Sequence, residues 1–343
     1  MLKVLIVATS RKTRGGITSV VKAHETGIQW KKYSCKWIQT HRDGNTFRKL
    51  IYLAIAILEY IFLLPFYDII HIHLTAGNSE RRKRLFFNLA KYCRKKTILH
   101  FHPSGEQILN DKSNCLRLYN IFQRADLILV LSEHWKSILQ NKLQITTKID
   151  ILYNPCPKIN RQNDIRKKQI LFAGTIIPRK GYETLLKGFA LIASKYPKWK
   201  IIFAGNGETD KAQNIAKNLS IAEQVTFTGW ISGKEKETVF QESSIYCLAS
   251  NGEGFPMGML DAWAYGIPCV VTPVGGIPDI IIDNKNGLIF PIGDFQALAK
   301  QLEKLITNKD LRERIVKESD KYVNGIFNID NINKQLDIIY STL

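Results

Sequence analysis

The 343-residue sequence has no cysteine pair spaced for a disulfide framework or a zinc site. Its six cysteines, Cys35, Cys93, Cys115, Cys156, Cys247 and Cys269, are scattered, which fits a reducing cytoplasm. It lacks the three-glycine spacing of a dinucleotide fingerprint and has no Gly-Lys-Ser/Thr run, so oxidoreductase and P-loop chemistries lose ground. No low-complexity tract or short-period repeat occurs. The opening apolar run, Met1 to Ala8, is too short for a signal-peptide core, and no small-residue cleavage site follows, so export is not expected. Acidic residues are scarce relative to basic ones: 49 Lys/Arg face 30 Asp/Glu, a net charge of +19. Most of the excess lies in the first half, where residues 1–160 hold 26 Lys/Arg against 10 Asp/Glu, net +16, leaving net +3 for the rest. Such a field draws nucleic acid, an anionic bilayer or phosphorylated substrates, and charge alone does not choose among them.

What is present is an alternation of apolar strands and helical stretches. Strands read at Lys3 to Ala8, Asp68 to His73 (DIIHIH), Thr97 to His102 (LHFH at its end) and Leu127 to Leu131, continuous apolar runs of the kind a two-sided parallel sheet buries. Asn154 to Lys168 is charged and proline-bearing and reads as a linker. A second series follows: strand Gln169 to Ala173, helix Tyr182 to Lys195, strand Lys200 to Ala204, helix Asp210 to Asn218, strand Gln224 to Thr228, and strands near Ile245 to Leu248, Pro268 to Thr272 and Gly287 to Ile289. The length and this repetition predict two α/β domains: 1–158, 166–325, and a C-terminal helix at 326–343 that can return to the first domain.

The most apolar stretch, Leu50 to Phe66, approaches the roughly 20 residues of a membrane span. Glu59 in its middle and Pro65 near its end favour a buried or membrane-surface helix, because a central carboxylate costs several kcal/mol in lipid.

Open parallel sheets bind ligands at the carboxyl ends of their strands, and here the strand-exit loops carry Gly, His and charge. Gly15 and Gly16 precede a helix and offer unhindered N–H groups to a phosphate, although the pair reads almost equally well as a tight turn. Gly174-Thr175 is followed by Pro178-Arg179-Lys180-Gly181, two cations at a helix start that suit a diphosphate or form a solvated basic turn. The run Gly252-Glu253-Gly254-Phe255-Pro256-Met257-Gly258-Met259-Leu260-Asp261 spaces two carboxylates eight residues apart across a glycine-rich loop and a helix start. Glu253 there can grip a sugar hydroxyl and Asp261 a ribose diol, although Asp261 reads equally well as an ordinary helix acid.

These motifs in this order, with DIIHIH, LHFH, FAGNGE, VTFTGW and the stretch from EGFPMGMLDAWAYGIPCVVTPVGGIPDII to NGLIF, resemble glycosyltransferase family 4. That resemblance implies a retaining enzyme of GT-B fold, two facing Rossmann-like domains, transferring a hexose-type sugar from a nucleotide diphosphate, a UDP-sugar as the commonest case. It implies that Glu253 contacts the donor sugar and that Asp261, where the family usually has glutamate, binds the ribose. Lys180 holds the diphosphate, with Arg179 beside it; the arginine usual after the strand-ending glycine is Thr175 here. His102 faces the donor sugar, Gly15 and Gly16 approach the phosphates, and Gly207, Glu208, Trp230 and Ile231 flank the base. Gly254, Phe255, Pro256, Met257, Gly258 and Met259 line the donor through the loop and helix start. Single histidines of HxH pairs also read as structural residues. No metal or other cofactor is expected.

The basic first domain is the expected acceptor side, taking a glycan or lipid-diphosphate-linked acceptor with peripheral contact to an anionic membrane and no nucleic acid, in a cytoplasmic enzyme of cell-surface polysaccharide biosynthesis. Nucleotide-sugar epimerases and phosphorylases share the architecture and are the alternative.

Overall fold

The computed structural model describes residues 2–161 and 166–343 and divides into two compact units, Met1–Pro155 with Ile326–Leu343, and Cys156–Gly325. Each is built on one parallel six-stranded sheet with helices about it.

The N-terminal unit contains β1 (Val4–Ala8), β2 (Lys36–Gln39), β3 (Ile69–Leu74), β4 (Lys96–Phe101), β5 (Leu127–Val130) and β6 (Ile149–Ile151), in the order β2-β1-β3-β4-β5-β6. Its helices are α1 (Gly16–His24), α2 (Ile28–Lys32), α3 (Thr46–Leu63), α4 (Asn78–Tyr92), α5 (Lys112–Phe122) and α6 (Glu133–Asn141). The four central strands are those legible in the sequence, because burial on both faces demands uninterrupted apolar residues. The edge strands β2 and β6 were not legible: KWIQ and IDI are short, have one neighbour each and need no such run. The C-terminal helix, Ile329–Thr342, packs against α1 and α2, where Gln29 Nε2 donates to Asn333 Oδ1 at 2.8 Å.

Helix α3 has two apolar faces. Ala56, Tyr60 and the following Leu64 are buried against the sheet, and the Tyr60 hydroxyl donates to the Phe86 carbonyl at 2.8 Å. The opposite stripe stays exposed, with Phe47 at 72%, Leu58 at 69% and Phe62 at 73%, and Leu50, Ile51 and Ile55 along the same side. The central Glu59 pairs with Lys36 at 3.5 Å. Among the described residues, Thr46–Phe66 is long and apolar enough to cross a membrane by length and composition, yet its inner face is already part of the domain core.

The C-terminal unit contains β7 (Gln169–Ala173), β8 (Lys200–Ala204), β9 (Val225–Gly229), β10 (Ile245–Leu248), β11 (Cys269–Val271) and β12 (Leu288–Ile289), in the order β12-β11-β10-β7-β8-β9. Helices α7 (Tyr182–Ala190), α8 (Thr209–Asn218), α9 (Gly233–Glu242), α10 (Met257–Ala264), α11 (Phe295–Thr307) and α12 (Lys309–Asn324) complete it. The chain winds outward from β7 to β9 and then from β10 to β12 on the other side. The strand order therefore reverses between β7 and β10, the position at which such sheets open a crevice at their carboxyl ends.

Part of the charged stretch Asn154 to Lys168, residues 162–165, lies outside the described residues. Its two described arginines are not simply solvated. Arg161 bonds the carbonyls of Ala264 and Trp263 and pairs with Asp320 at 2.6 Å, and Arg166 donates to the carbonyls of Phe240, Gln241, Ser243, Tyr265 and Gly266. Guanidinium forks used in this way satisfy helix-end carbonyls that would otherwise be orphaned.

Candidate active site

The loops leaving β7 and β10 flank the reversal of strand order, and they touch backbone to backbone. Gly181, in the left-handed region at φ 69, stands so close to the β10 exit that a Cβ there would lie 1.8 Å from the Ala249 carbonyl oxygen. Only glycine permits both the conformation and the approach. Asn251 N–H donates to the Arg179 carbonyl at 2.7 Å, tying the loops together.

This contact brings Lys180 onto Glu253. Lys180 Nζ lies 2.6 Å from Glu253 Oε1, and Ser250 Oγ donates to the same oxygen at 2.6 Å. Arg179 Nη1 is 3.7 Å from Oε2 and also donates to the Gly252 carbonyl. Adjacent residues need not point the same way, yet here both cations surround one carboxylate. Glu253 itself is only 5% exposed. From the other side Gly275, at φ 57, closes on its main chain: a Cβ there would sit 2.2 Å from the Glu253 carbonyl oxygen, and Gly276 N–H donates to Gly254 O at 2.9 Å. The two cations and one anion leave a surplus positive charge at the mouth of the crevice, which suits a polyanionic group.

Helix α10 begins at Met257 directly after this loop. A Cβ on Gly258 would meet the Tyr246 hydroxyl at 2.5 Å and the Ala173 carbonyl at 3.0 Å, so glycine lets the helix start seat on the strand ends. Phe255 and Met259 are buried; their side chains belong to the core, and the Met259 N–H already donates to the Pro256 carbonyl at 3.2 Å. Asp261, one turn on, pairs with Lys236 of α9 at 2.7 Å, a partner the sequence reading missed because GKEKE looks like a solvated helix face. Burial raises the Asp261 carboxyl above the ordinary carboxylate range, and Lys236 opposes the shift. A raised folded-state value means that the stability associated with this group is full below the unfolded value near 3.9 and is lost as pH rises through the folded value, so the ionised group is a net cost at neutrality. Asp261→Asn is therefore expected to leave the melting temperature at pH 7 unchanged or a few degrees higher, with the difference vanishing toward pH 4. A loss of several degrees at pH 7 would contradict this.

Gly207 lies beside the β7 exit, where a Cβ would meet Ile176 O at 2.2 Å, and Glu208 N–H donates to that carbonyl at 2.8 Å. The Glu208 carboxylate accepts from the Tyr182 hydroxyl at 2.7 Å, which, with Lys211 nearby, lowers its pKa, while burial and Glu208 push Tyr182 up to about 12. Trp230 N–H donates to Asn206 Oδ1 at 2.9 Å. The Trp230 ring is exposed and Ile231 is buried. Ser250, Lys236, Tyr182 and Asn206 join the site residues on the structure's account.

Gly15, Gly16 and His102 belong to the N-terminal unit. Gly15 caps α1 with φ 149, and a Cβ there would meet nothing. His102 follows β4, is 9% exposed, and bonds His73 Nδ1 through Nε2 at 3.0 Å. Burial pushes its pKa down to about 3, so the ring is neutral.

Two Rossmann-like units of this kind define the GT-B class, and comparison with solved structures agrees. Sucrose-phosphate synthase of Thermosynechococcus elongatus superposes with TM-score 0.85 at 17% identity, covering 100% of this chain and 99% of that one. The Anabaena protein HepE, solved in complex with UDP, gives 0.79 at 16%, covering 100% of both. Residues 157–322, nearly the whole of the C-terminal unit, match the family model described as glycosyl transferases group 1. A protein of Haemophilus influenzae described as an uncharacterized glycosyltransferase is 32% identical over 221 residues, 63% of this chain and 62% of its own length. The capsular polysaccharide biosynthesis glycosyltransferase CapM of Staphylococcus aureus is 27% identical over 50% of this chain and 45% of its own. The matched stretches thus span less than two thirds of these relatives.

Proposed function

We propose that the protein is a retaining, metal-independent glycosyltransferase of family 4 that moves a hexose-type sugar from a UDP-sugar to a glycan or lipid-linked acceptor in cell-surface polysaccharide biosynthesis. The observation that carries the reading is the Lys180–Glu253 contact, with Arg179 beside it, at the point where the strand order of the C-terminal sheet reverses.

Breaking the bond between the anomeric carbon and the phosphate oxygen places negative charge on the departing diphosphate and positive charge on the sugar. Lys180, Arg179, and the main-chain N–H groups of the Gly254 to Gly258 turn are donors fixed in advance toward the leaving group, the form of stabilisation that contributes most in such sites. Glu253 accepts from a sugar hydroxyl. Asp261 binds the ribose diol, its side chain one methylene shorter than the family's usual glutamate, through a water. Gly207, Glu208, Trp230 and Ile231 flank the base. A UDP donor is further supported by the HepE structures, one of them with UDP-glucose.

A panel of nucleotide sugars followed by thermal shift tests the donor: a ligand at 100 times its dissociation constant stabilises by about 2.7 kcal/mol. UDP release that depends on added acceptor separates transfer from epimerase and phosphorylase chemistry, and the anomeric configuration of the product tests retention. No shift with any nucleotide sugar would end this reading.

The exposed stripe of α3, in a unit carrying most of the net positive charge, supports a cytoplasmic enzyme held peripherally on an anionic bilayer. Each large apolar side chain moved from water into the membrane boundary contributes about 1.5–3 kcal/mol. The protein is expected to sediment with vesicles containing anionic lipid at low salt, and Leu58→Asp with Phe62→Asp to lower the bound fraction at least tenfold without changing the melting temperature. Equal sedimentation of parent and variant would exclude α3 as the contact.

A further inference from the structure

Five imidazoles gather inside the N-terminal unit. His71 and His73 alternate along β3, His100 lies on β4 directly paired in register with His73, and His102, just past the end of β4, has its ring 4.3 Å from that of His100. His24 adds its ring from the end of α1, roughly parallel to His100 at 6.3 Å between centroids. His71 and His73 stack at 4.5 Å, and His73 and His100 lie 4.7 Å apart. His71, His73 and His100 are essentially without solvent contact, and burial holds all three well below the ordinary imidazole range. Neutral rings in this position have lone pairs to place.

The hydrogen bonds do not place them. His71 uses Nδ1 toward the Tyr340 hydroxyl at 2.7 Å, and His73 uses Nδ1 toward His102 Nε2 at 3.0 Å. Nε2 of His71, Nε2 of His73, both nitrogens of His100 and Nε2 of His24 have no hydrogen-bond partner, a concentration of buried unsatisfied atoms that calls for a missing ligand. One ring nitrogen from each of His71, His73 and His100 lies within 4.8 Å of the others.

We propose that these three histidines bind a late first-row transition ion, zinc above all, with His24 or a water in the fourth position. An all-imidazole set suits zinc better than magnesium or calcium, which take oxygen ligands. Zinc–nitrogen bonds of about 2.0–2.1 Å place tetrahedral ligands about 3.4 Å apart, a closure of roughly an ångström that rotation of the rings supplies. For His71 and His73 the outer bonds already have the form such a site requires: an Nδ1–H donated to Tyr340 or His102 fixes the tautomer that leaves Nε2 bare for the metal. The ion would fasten β3 to β4 and hold His73 beneath His102. It takes no part in neutralising the donor diphosphate, so the site stands or fails independently of the proposed transfer reaction.

The test uses the untagged full chain, refolded with Zn2+ or Co2+, desalted, and analysed for metal. About one equivalent per chain is expected, with Co2+ giving the intense visible absorption of a tetrahedral nitrogen site and Zn2+ raising the melting temperature. His100→Leu, an apolar replacement in an apolar setting, is expected to lose metal and absorption together while keeping its circular dichroism. Less than a tenth of an equivalent in the parent, with no absorption band, would overturn the proposal and leave these nitrogens to buried water. Undiminished binding by folded His100→Leu would overturn it equally. If that variant does not fold, the parent's stoichiometry and spectrum decide alone.

Discussion

Glu253→Ala is expected to reduce sugar transfer by at least about a hundredfold while binding UDP as tightly as the parent or more tightly. In the structure Lys180 is held by Glu253 at 2.6 Å, with Arg179 close to the other oxygen. A diphosphate arriving at these cations competes with that carboxylate. Removing the carboxylate releases both cations, so affinity for the leaving group is retained or increased, whereas the grip on the sugar hydroxyl is lost. A preorganised group acting on the reacting sugar is worth about 10²–10³ or more in rate. Titration with UDP, alongside a transfer assay, separates the two effects. A variant that loses UDP affinity would place Glu253 on the nucleotide instead, and one that keeps full activity would remove it from the reaction.

The second large effect is predicted at a residue that touches no ligand. Gly275→Ala puts a Cβ 2.2 Å from the Glu253 carbonyl oxygen, at a positive φ of 57. The obstacle is main chain, so no side-chain rotation relieves it, and the loop carrying Glu253 must move. Strain of this kind costs on the order of 1–3 kcal/mol. A melting temperature several degrees lower and transfer reduced at least a hundredfold are expected, because a displacement of about 1 Å at a reacting group suffices for that loss. Gly233→Ala is the control: it is also at positive φ, 54, but a Cβ there meets nothing, and it should affect stability mildly and transfer little. Equal behaviour of the two variants would mean that the close approach at Gly275 does not support the site.

The sequence made the inner strands legible because β1, β3, β4 and β5 are buried on both faces and must be apolar throughout. Strands β2 and β6 escaped notice at the edges, where nothing requires that pattern. The loops with Lys180 and Glu253 were recognisable from their glycines and charges; their direct contact depends on how β7 and β10 neighbour each other, which local pattern does not specify. Lys236 was hidden within a helix that looks solvated, since a cation reaching a buried carboxylate leaves no local mark. The histidines were legible singly as HxH pairs. Their convergence comes from the β3–β4 register and from His24 on α1, a residue with nothing distinctive around it.

The central claim is that the C-terminal unit holds a nucleoside diphosphate by its phosphates at Lys180 and the adjoining turn. Calorimetric titration of the parent and Lys180→Ala with UDP, UMP and uridine measures this directly. The parent is expected to bind UDP far more tightly than uridine, with an affinity that falls as salt rises, and Lys180→Ala to lose at least tenfold in UDP affinity while its weak binding of uridine is unchanged. A folded Lys180→Ala protein that binds UDP as well as the parent would contradict the account.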